Sequence, residues 1–298
     1  MQRWLLIGSG DIARRMVPLI RGNPALFALC RDRVSAAHWR SLGATPVMGD
    51  LDKPATLRRL SGLAHVVFHF APPAPDRPGD PRTRDLIGAL ERGASLPHAF
   101  IYISTTGVYG DCHGAFIDEC RPVRPLTARA ARRVDAETRL RAFGARTGCR
   151  VSILRAPGIY AEERLPLERM QRGDPLPEAG SDPWTNHIHA QDLAQAALDA
   201  LRRGRPNRVY NVVDDSRLRL GEFHELLARR FGLPLPERLP LADVRRKISE
   251  ITWSFWSESR QISNERIKRE FGRAWYYPTF ASFLDRVAPQ TPKESSGN

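Results

Sequence analysis

The stretch WLLIGSGDIAR, residues 4–14, decides the fold of this chain. It opens on an apolar run that is too short for a helix and is typical of a strand buried on both faces in a parallel sheet. A turn with the pattern Gly-x-Gly-x-x-Ala follows at once. Gly8 permits the tight turn, Gly10 lets a pyrophosphate approach the backbone without meeting a Cβ atom, and Ala13 lets the next helix pack close to the strand.

Phosphate groups are expected to bind the free N–H groups at the start of that helix. The short glycine pattern is weak evidence by itself, because it also occurs in ordinary turns. Here a predicted strand precedes it and a predicted helix follows it, which is the context that a dinucleotide site requires. The residues predicted to bind the phosphates are Gly8, Ser9, Gly10, Asp11 and Ile12.

Composition excludes several classes of protein. Of the 298 residues 42% are hydrophobic, and the apolar runs are far shorter than the roughly 18 residues of a membrane span. The sequence shows no signal-peptide core, so we expect a soluble protein in the cytoplasm. The cysteines show no Cys-x-x-Cys spacing, and no metal site is predicted.

The net charge of +13 is carried mainly by arginines that are spread over every predicted helix. There is no lysine-rich tail and no interleaving of basic and aromatic residues, so we expect neither a nucleic-acid partner nor a membrane partner. A small-molecule substrate, with an acidic one left open, is the expected ligand. The sequence does not indicate the oligomeric state.

Predicted strands alternate with predicted helices along the first part of the chain. The strands are expected at residues 4–7, 24–29, 45–48, 64–70 and 99–103. This alternation is the pattern of βαβ units, and it predicts an α/β fold with a Rossmann-type, doubly wound parallel sheet. Ligands bind such sheets at the carboxyl ends of the strands.

The chain is expected to form two parts. Residues 1–157 should form the dinucleotide-binding domain, to which the chain returns at about 186–215. Residues 158–185 and 216–290 should form a smaller C-terminal lobe that covers the substrate, followed by a disordered tail at 291–298. Aromatic residues near positions 253–256 and 275–277 line a pocket in that lobe or, as is more common for such residues, form its core.

The residues after the second strand bear on the choice of cofactor. A side chain at this position contacts the adenosine ribose, where arginine suits a 2′-phosphate and an acidic residue suits a 2′-hydroxyl. Arg31 and Arg33 therefore favour NADP, while Asp32 leaves NAD open. The alternative is that both arginines are ordinary solvated loop residues.

Two further strand ends are expected to contact the cofactor. Asp50 and Leu51 follow the third strand, and Asp52 either accepts a bond from the adenine amine or caps the helix at 54–60. The stiff segment after the fourth strand lacks most backbone donors, so it should line the cofactor by contact. Its predicted contact residues are Ala71, Pro72 and Pro73.

Four later segments carry a resemblance to a known family. They are ISTTGVYG at 103–110, LRAPGIY at 154–160, NHIHAQDLA at 186–194 and YNVV at 210–213. In this order they resemble the extended short-chain dehydrogenase/reductases, which include the nucleotide-sugar epimerases and dehydratases. The resemblance implies a Rossmann fold and an NAD(P)-dependent reaction on a carbonyl or sugar-like compound.

The resemblance carries over only part of the family's chemistry. Family enzymes have serine or threonine at the position of Thr105, where its hydroxyl binds the reacting oxygen. The acidic pair of the dehydratases is replaced by Thr106 and Gly107, which disfavours dehydration. Counting back from Ala136-Glu137, the family's Tyr-x-x-x-Lys positions hold Arg129 and Arg133, so the chain resembles the atypical branch.

These two arginines change what the site is expected to do. A guanidinium titrates above about 12 and transfers no proton near neutral pH, although Arg133 can bind ribose hydroxyls and either arginine can supply a positive field. The alternative for both is a solvated helix face. Tyr109 is the nearest candidate proton donor in sequence, with Tyr160 and His187 behind it.

Two functions from different classes remain open from the sequence. One is an NADP-dependent oxidoreductase or epimerase-like enzyme with an atypical catalytic site. The other is a non-catalytic NADP(H)-binding sensor that presents its second lobe to a partner. The nucleotide-binding half supports both equally.

Overall fold

The computed structural model describes residues 1–287 and contains fifteen strands within that range. The predicted tail at 291–298 lies outside the described residues. The strands are β1 (Arg3–Ile7), β2 (Ala25–Cys30), β3 (Thr45–Met48), β4 (Val66–His69), β5 (Ala99–Thr105), β6 (Phe116–Ile117), β7 (Arg150–Ala156), β8 (Gly158–Tyr160), β9 (Leu176–Pro177), β10 (Trp184–Thr185), β11 (His187–His189), β12 (Arg208–Asn211), β13 (Leu218–Arg219), β14 (Arg238–Leu239) and β15 (Gln261–Ile262).

The helices follow the strands of the sheet and then cluster in the C-terminal part. They are α1 (Asp11–Met16), α2 (Arg33–Ser41), α3 (Pro81–Glu91), α4 (Ala128–Thr147), α5 (Leu167–Gln171), α6 (Ala190–Arg203), α7 (Leu220–Phe231), α8 (Leu241–Lys247), α9 (Glu250–Trp256), α10 (Glu265–Phe271) and α11 (Phe280–Leu284).

Seven strands form one parallel sheet in the order β12-β7-β5-β4-β1-β2-β3. The predicted Rossmann-type sheet is confirmed. β1 lies between β2 and β4, so that Leu5 is opposite Phe27 on one side and Val67 on the other. The strand order reverses at β1, and the carboxyl ends of β1 and β4 therefore form the crevice where such folds bind ligands.

The sheet is covered by helices on both faces. Met16 of α1 and Leu198 of α6 pack on one face, and Leu90 of α3 and Phe143 of α4 pack on the other. Because both faces are buried, the strands are almost continuously apolar, which is why the run at residues 4–7 could be recognised from the sequence.

Local capping explains where the two helices nearest the site begin. The Asp32 carboxylate accepts a bond from the Ser35 N–H at 2.7 Å and starts α2. Thr127 caps α4 through the Ala130 N–H at 3.2 Å, and Gly148, with φ of 73°, ends it. Capped termini of this kind satisfy backbone groups that a helix cannot pair internally.

A third apolar cluster forms outside the sheet. Tyr160, Phe223, Phe280 and Phe283 are buried together, and all come from the ranges predicted for the smaller lobe. One element departs from that division, since α10 packs against α6 and β12 beside the sheet. Its apolar face contributes Ile267 and Phe271 to the cluster that covers the first face of the sheet.

Two further features bear on the class of protein. No helix within residues 1–287 is long and apolar enough to cross a membrane. In the same range no group of three or more His, Cys, Asp or Glu side chains is placed to hold a metal ion.

Candidate active site

A groove of about 650 Å³ runs along the carboxyl ends of β1, β2 and β4. Gly8 has φ of +85°, and a Cβ atom there would lie 2.3 Å from the Ala71 nitrogen, so only glycine lets the turn approach the end of β4. A Cβ atom at Gly10 would meet no atom within 4 Å. The open space at Gly10 leaves room for a ligand against the backbone.

Most residues predicted to bind the cofactor line this groove. The predicted residues among them are Gly8, Ser9, Gly10, Asp11, Ile12, Arg31, Asp50, Leu51, Ala71, Pro72 and Arg133. Arg33 and Pro73 were predicted to contact the cofactor and do not line the groove. Arg33 is the first residue of α2 and is exposed, and Pro73 is buried behind the segment whose exposed residue is Pro72.

The adenosine end of the groove has a mixed electrostatic character. Arg31 and Asp32 both line it, and the Asp32 carboxylate, which accepts one bond in capping α2, keeps its negative charge. Asp52 does not cap the segment 54–60, which is a 3₁₀ helix with Lys53 at its start. Instead the Asp52 carboxylate accepts a bond from Arg82 at 2.7 Å, which lowers the pKa of that carboxyl.

Arg129 and Arg133 face two different cavities. One nitrogen of Arg133 donates to the Tyr102 hydroxyl at 2.9 Å and to the Ile103 carbonyl at 2.7 Å, and this guanidinium lines the groove. Arg129 instead lies 3.9 Å above the Phe255 ring and lines a second cleft. The two positions that the resemblance aligns with the family's lysine and tyrosine, 133 and 129, therefore line the groove and the second cleft respectively.

The second cleft, of about 230 Å³, lies where β5 and β7 end and the smaller lobe covers them. It adjoins the groove, because Ile103 and Ile159 line the groove while Thr105 and Gly158 line the cleft. The polar side chains that line the cleft are Thr105, Thr106, Thr127, Arg129, Arg169, Thr185, Asn186, His187, His224, Ser254, Glu258 and Arg260.

Thr105 has the geometry of a hydrogen-bond donor to a ligand. Its Oγ1 accepts a bond from the Gly107 N–H at 3.2 Å, which fixes the side chain at the start of a 3₁₀ turn. The hydroxyl proton of Thr105 is not used by that bond. It is therefore available to an oxygen atom placed in the cleft.

Tyr109 does not lie in either cavity, which removes it as the proton donor. It is 1% exposed, and its hydroxyl donates to Asn211 Oδ1 at 2.8 Å inside a buried cluster. Burial raises the pKa of Tyr109. Tyr160 is similarly buried and donates to Asp214 at 3.1 Å. Tyr109 ends the 3₁₀ turn at 106–109, and its ring lies within that buried cluster.

The histidines that line the cleft are neutral. The His187 ring stacks on Phe223 with the ring centres 4.1 Å apart, and burial lowers its pKa to about 3. Burial also lowers the pKa of His224 to about 4. Burial therefore disfavours the doubly protonated, charged form of both rings near neutral pH.

Four ionisable residues of the cleft, Glu258, Arg260, Arg169 and His224, were not singled out from the sequence. Glu258 is 6% exposed, and one of its oxygens accepts from Arg260 at 2.6 Å while Oε1 is buried without a partner. Arg169 and His224 lie opposite, on α5 and α7. No motif marks these positions, because the smaller lobe brings them to the cleft from distant parts of the chain.

A buried ion pair supports the end of β5 from below. The Arg155 guanidinium binds both oxygens of Glu137, at 3.0 and 2.6 Å, and the Ser104 hydroxyl donates to the same carboxylate at 2.6 Å. Burial opposes this charge, but the bonds to Glu137 outweigh it and raise the pKa of Arg155. Strands β5 and β7 and helix α4 are thereby joined directly beside Thr105.

The fold and these two adjoining cavities define a Rossmann-fold protein of the dinucleotide-binding class. The family model of the NAD dependent epimerase/dehydratase family matches residues 7–212, which agrees with that class. The chain belongs to this family. The resemblance to the extended short-chain dehydrogenase/reductases is therefore confirmed.

Individual relatives are similar to parts or most of the chain. The human dTDP-D-glucose 4,6-dehydratase is 28% identical over 121 residues, which is 38% of this chain and only 35% of that protein. The GDP-6-deoxy-D-mannose reductase of Pseudomonas aeruginosa is 29% identical over 82% of this chain and 87% of its own length. A functionally unknown conserved protein from Silicibacter pomeroyi has a solved structure with a TM-score of 0.77 and 27% identity, covering 96% of this chain and 97% of that chain.

Proposed function

We propose that this protein is an NADP-dependent oxidoreductase, or an epimerase-like enzyme, that acts on a carbonyl or sugar-like compound with an atypical catalytic site. The observation that carries the proposal is the free Thr105 hydroxyl at the junction of the groove and the second cleft. Family membership and a reductase relative that covers most of the chain support it.

The groove fits a dinucleotide by its own chemistry. Gly10 leaves space against the backbone, Arg133 is held within the groove wall where a ribose would pass, and Arg31 suits a 2′-phosphate. The bound nicotinamide would supply or accept a hydride. In the reducing direction a carbonyl carbon gains that hydride and its oxygen gains a proton, so the cleft must hold the oxygen and supply the proton.

The residues of the cleft divide these tasks. The Thr105 hydroxyl donates a hydrogen bond to the reacting oxygen, and Arg129 stabilises negative charge that develops nearby. The arginines keep their protons near neutral pH, and burial makes both histidines weak bases. Glu258, whose Oε1 lacks a partner, is the carboxyl group that lines the cleft, and we assign the proton exchange to it: its carboxylate accepts the hydroxyl proton when an alcohol is oxidised, and in reduction it passes a proton taken from solvent water to the carbonyl oxygen.

Replacement of Thr105 tests the proposal. A screen of carbonyl compounds and nucleotide sugars for NADPH oxidation should give a substrate, and Thr105→Ala should lower its turnover by roughly a hundredfold with NADPH affinity unchanged. Thr105→Ser keeps the hydroxyl and should keep most of the activity. Turnover that survives Thr105→Ala would contradict the site. Tight NADPH binding without any turnover would favour the sensor function.

A further inference from the structure

Two arginines in the second cleft form no ion pair within the described residues, although Glu258 acts on Arg129 and Asp174 on Arg169 from a longer distance. Arg129 comes from α4 and Arg169 from α5, and the charged groups that act on them within the described part of the chain include no carboxylate bonded to either. Both guanidiniums rest on aromatic rings. Arg129 is 3.9 Å from the centre of Phe255, and Arg169 is 4.8 Å from that of Trp256. The two rings belong to consecutive residues at the end of α9, and each makes a cation–π contact with one guanidinium.

The hydrogen bond of Arg169 leaves its charge uncompensated. His224 Nδ1 lies 2.8 Å from the Leu220 carbonyl oxygen, so this nitrogen carries the proton and donates. The other ring nitrogen, Nε2, then accepts from Arg169 at 3.1 Å. A ring that both donates and accepts in this way is neutral, which agrees with its pKa of about 4.

The charges of the cleft do not cancel. Arg260 is neutralised by Glu258 at 2.6 Å, which leaves the charges of Arg129 and Arg169. Burial lowers the pKa of each of these two arginines. Arg155, which is buried, differs because Glu137 binds it directly. Arg129 is exposed and Arg169 is half-buried, and with no carboxylate bonded to either, both guanidiniums can bind an anionic ligand in the cleft.

The size of the cleft limits which anion fits. Its volume of about 230 Å³ is below the roughly 300–1,000 Å³ of pockets that hold drug-sized ligands. A guanidinium binds a carboxylate through two parallel hydrogen bonds, which makes arginine the usual partner of that group. The cleft therefore suits a compact acid.

We propose that the second cleft binds the carboxylate of a small oxo acid or hydroxy acid through Arg169 and Arg129, with the carbonyl or alcohol oxygen at Thr105. This inference rests on the proposed oxidoreductase function and names its substrate class. Arg129, which occupies the position of the family's tyrosine, then contributes to substrate binding in place of proton transfer.

Matched pairs of acids and esters test the inference. Pyruvate, acetoacetate and 4-oxopentanoate are titrated into the NADPH-saturated protein beside their methyl esters, with the fluorescence of the cleft residues Trp184 and Trp256 as the readout. NADPH oxidation is followed in parallel. At least one acid should bind ten times more tightly than its ester. Arg169→Gln should remove that difference and leave the affinity of the ester unchanged.

Controls separate this subsite from general positive charge. Arg172→Gln changes an exposed arginine that follows α5 directly and should leave the acid-to-ester ratio unchanged. Arg169→Lys keeps the charge and should keep part of the preference, which remains informative if Arg169→Gln folds poorly. In the native protein, acid affinity should also fall as salt rises from 50 to 300 mM, as expected for an ionic contact.

Each outcome has a defined meaning. Equal binding of acids and esters, or no binding of any acid, overturns the inference. Inorganic phosphate that binds this cleft while the acids do not would overturn the carboxylate assignment. If the acids bind but no carbonyl compound is reduced, the oxidoreductase function fails and the subsite stands. If the esters are reduced as well as the acids, the function stands and the subsite fails.

Discussion

Arg129 and Arg133 lie one helical turn apart on α4, yet each serves a different cavity. Arg133 is held by two bonds to β5 and faces the cofactor groove, while Arg129 reaches over Phe255 into the second cleft. A fixed positive charge at both positions suits binding and charge stabilisation but not proton transfer. The proton must then come from another residue of the cleft.

Substitutions of Tyr109 and Glu258 are expected to affect turnover differently, because only Glu258 is assigned the proton exchange. Tyr109→Phe removes only a buried bond to Asn211, so it should lower stability by about 1–2 kcal/mol and leave turnover within about twofold. Glu258→Gln removes the carboxylate that exchanges the proton and should lower turnover by roughly a hundredfold. Steady-state kinetics and urea unfolding of both variants separate the two effects. A large loss of turnover in Tyr109→Phe alone would contradict the assignment.

Arg31 is predicted to set the preference for NADPH. It lines the groove at the end of β2, where a 2′-phosphate would lie, although Asp32 lines the same part of the groove. Arg31→Gln should weaken NADPH binding by about 1–2 kcal/mol without affecting NADH. Arg33→Gln, which alters an exposed arginine outside the groove, is the control. Calorimetric titration with NADPH and NADH measures both affinities. Equal losses of affinity for the two cofactors would contradict a phosphate contact.

At the scale of elements, the first strand, turn and helix form the cofactor-binding unit. Gly10→Val adds a branched side chain where the backbone faces open space, so NADPH binding should be lost while circular dichroism and thermal stability are retained. Gly8→Ala places its Cβ atom against the backbone of Ala71 and should destabilise the fold. Retained affinity in Gly10→Val would show that this turn does not bind the pyrophosphate.

The same elements show what the sequence could predict. Residues 4–14 combine strand, turn and helix signals within a few positions, so the sheet and the groove followed from local patterns. The position of Thr105 beside the cleft could be predicted because its motif is continuous with β5. Arg169 and Glu258 reach the cleft only through the packing of the smaller lobe, which no local pattern records. Tyr109 was misplaced because it ends a 3₁₀ turn, which the sequence did not reveal, and its ring lies in a buried cluster.

At the scale of the whole molecule, four buried histidines make the free energy of unfolding depend on pH. His69 lies in the sheet, His187 and His224 line the cleft, and His189 begins α6. Burial lowers the pKa of His69 and His187 to about 3, and that of His189 and His224 to about 4. Buried carboxyls oppose this effect, because burial raises the pKa of Asp214 to about 7 and also raises the pKa of Glu119 and Asp192.

Stability should therefore fall as the pH falls from about 6.5 to 5. In this range the unfolded chain protonates its histidines, with pKa near 6.5, and the folded chain does not, so each histidine favours unfolding by about 1.4 kcal/mol per pH unit. Asp214 acts in the other direction, since the folded chain keeps a proton on it that the unfolded chain releases. The four histidines outnumber the three carboxyls whose pKa burial raises, and acid destabilises the protein.

Urea unfolding at pH 5.0, 5.5, 6.0, 6.5 and 7.5 measures this dependence directly. The slope of the unfolding free energy against pH measures the number of protons that the chain takes up on unfolding. His224→Gln should lower that number by about one, and Asp214→Asn should raise it by about one. Because the two variants shift the slope in opposite directions, a general loss of stability cannot imitate the result. An unchanged slope in both variants would show that these groups titrate alike in the folded and unfolded chains.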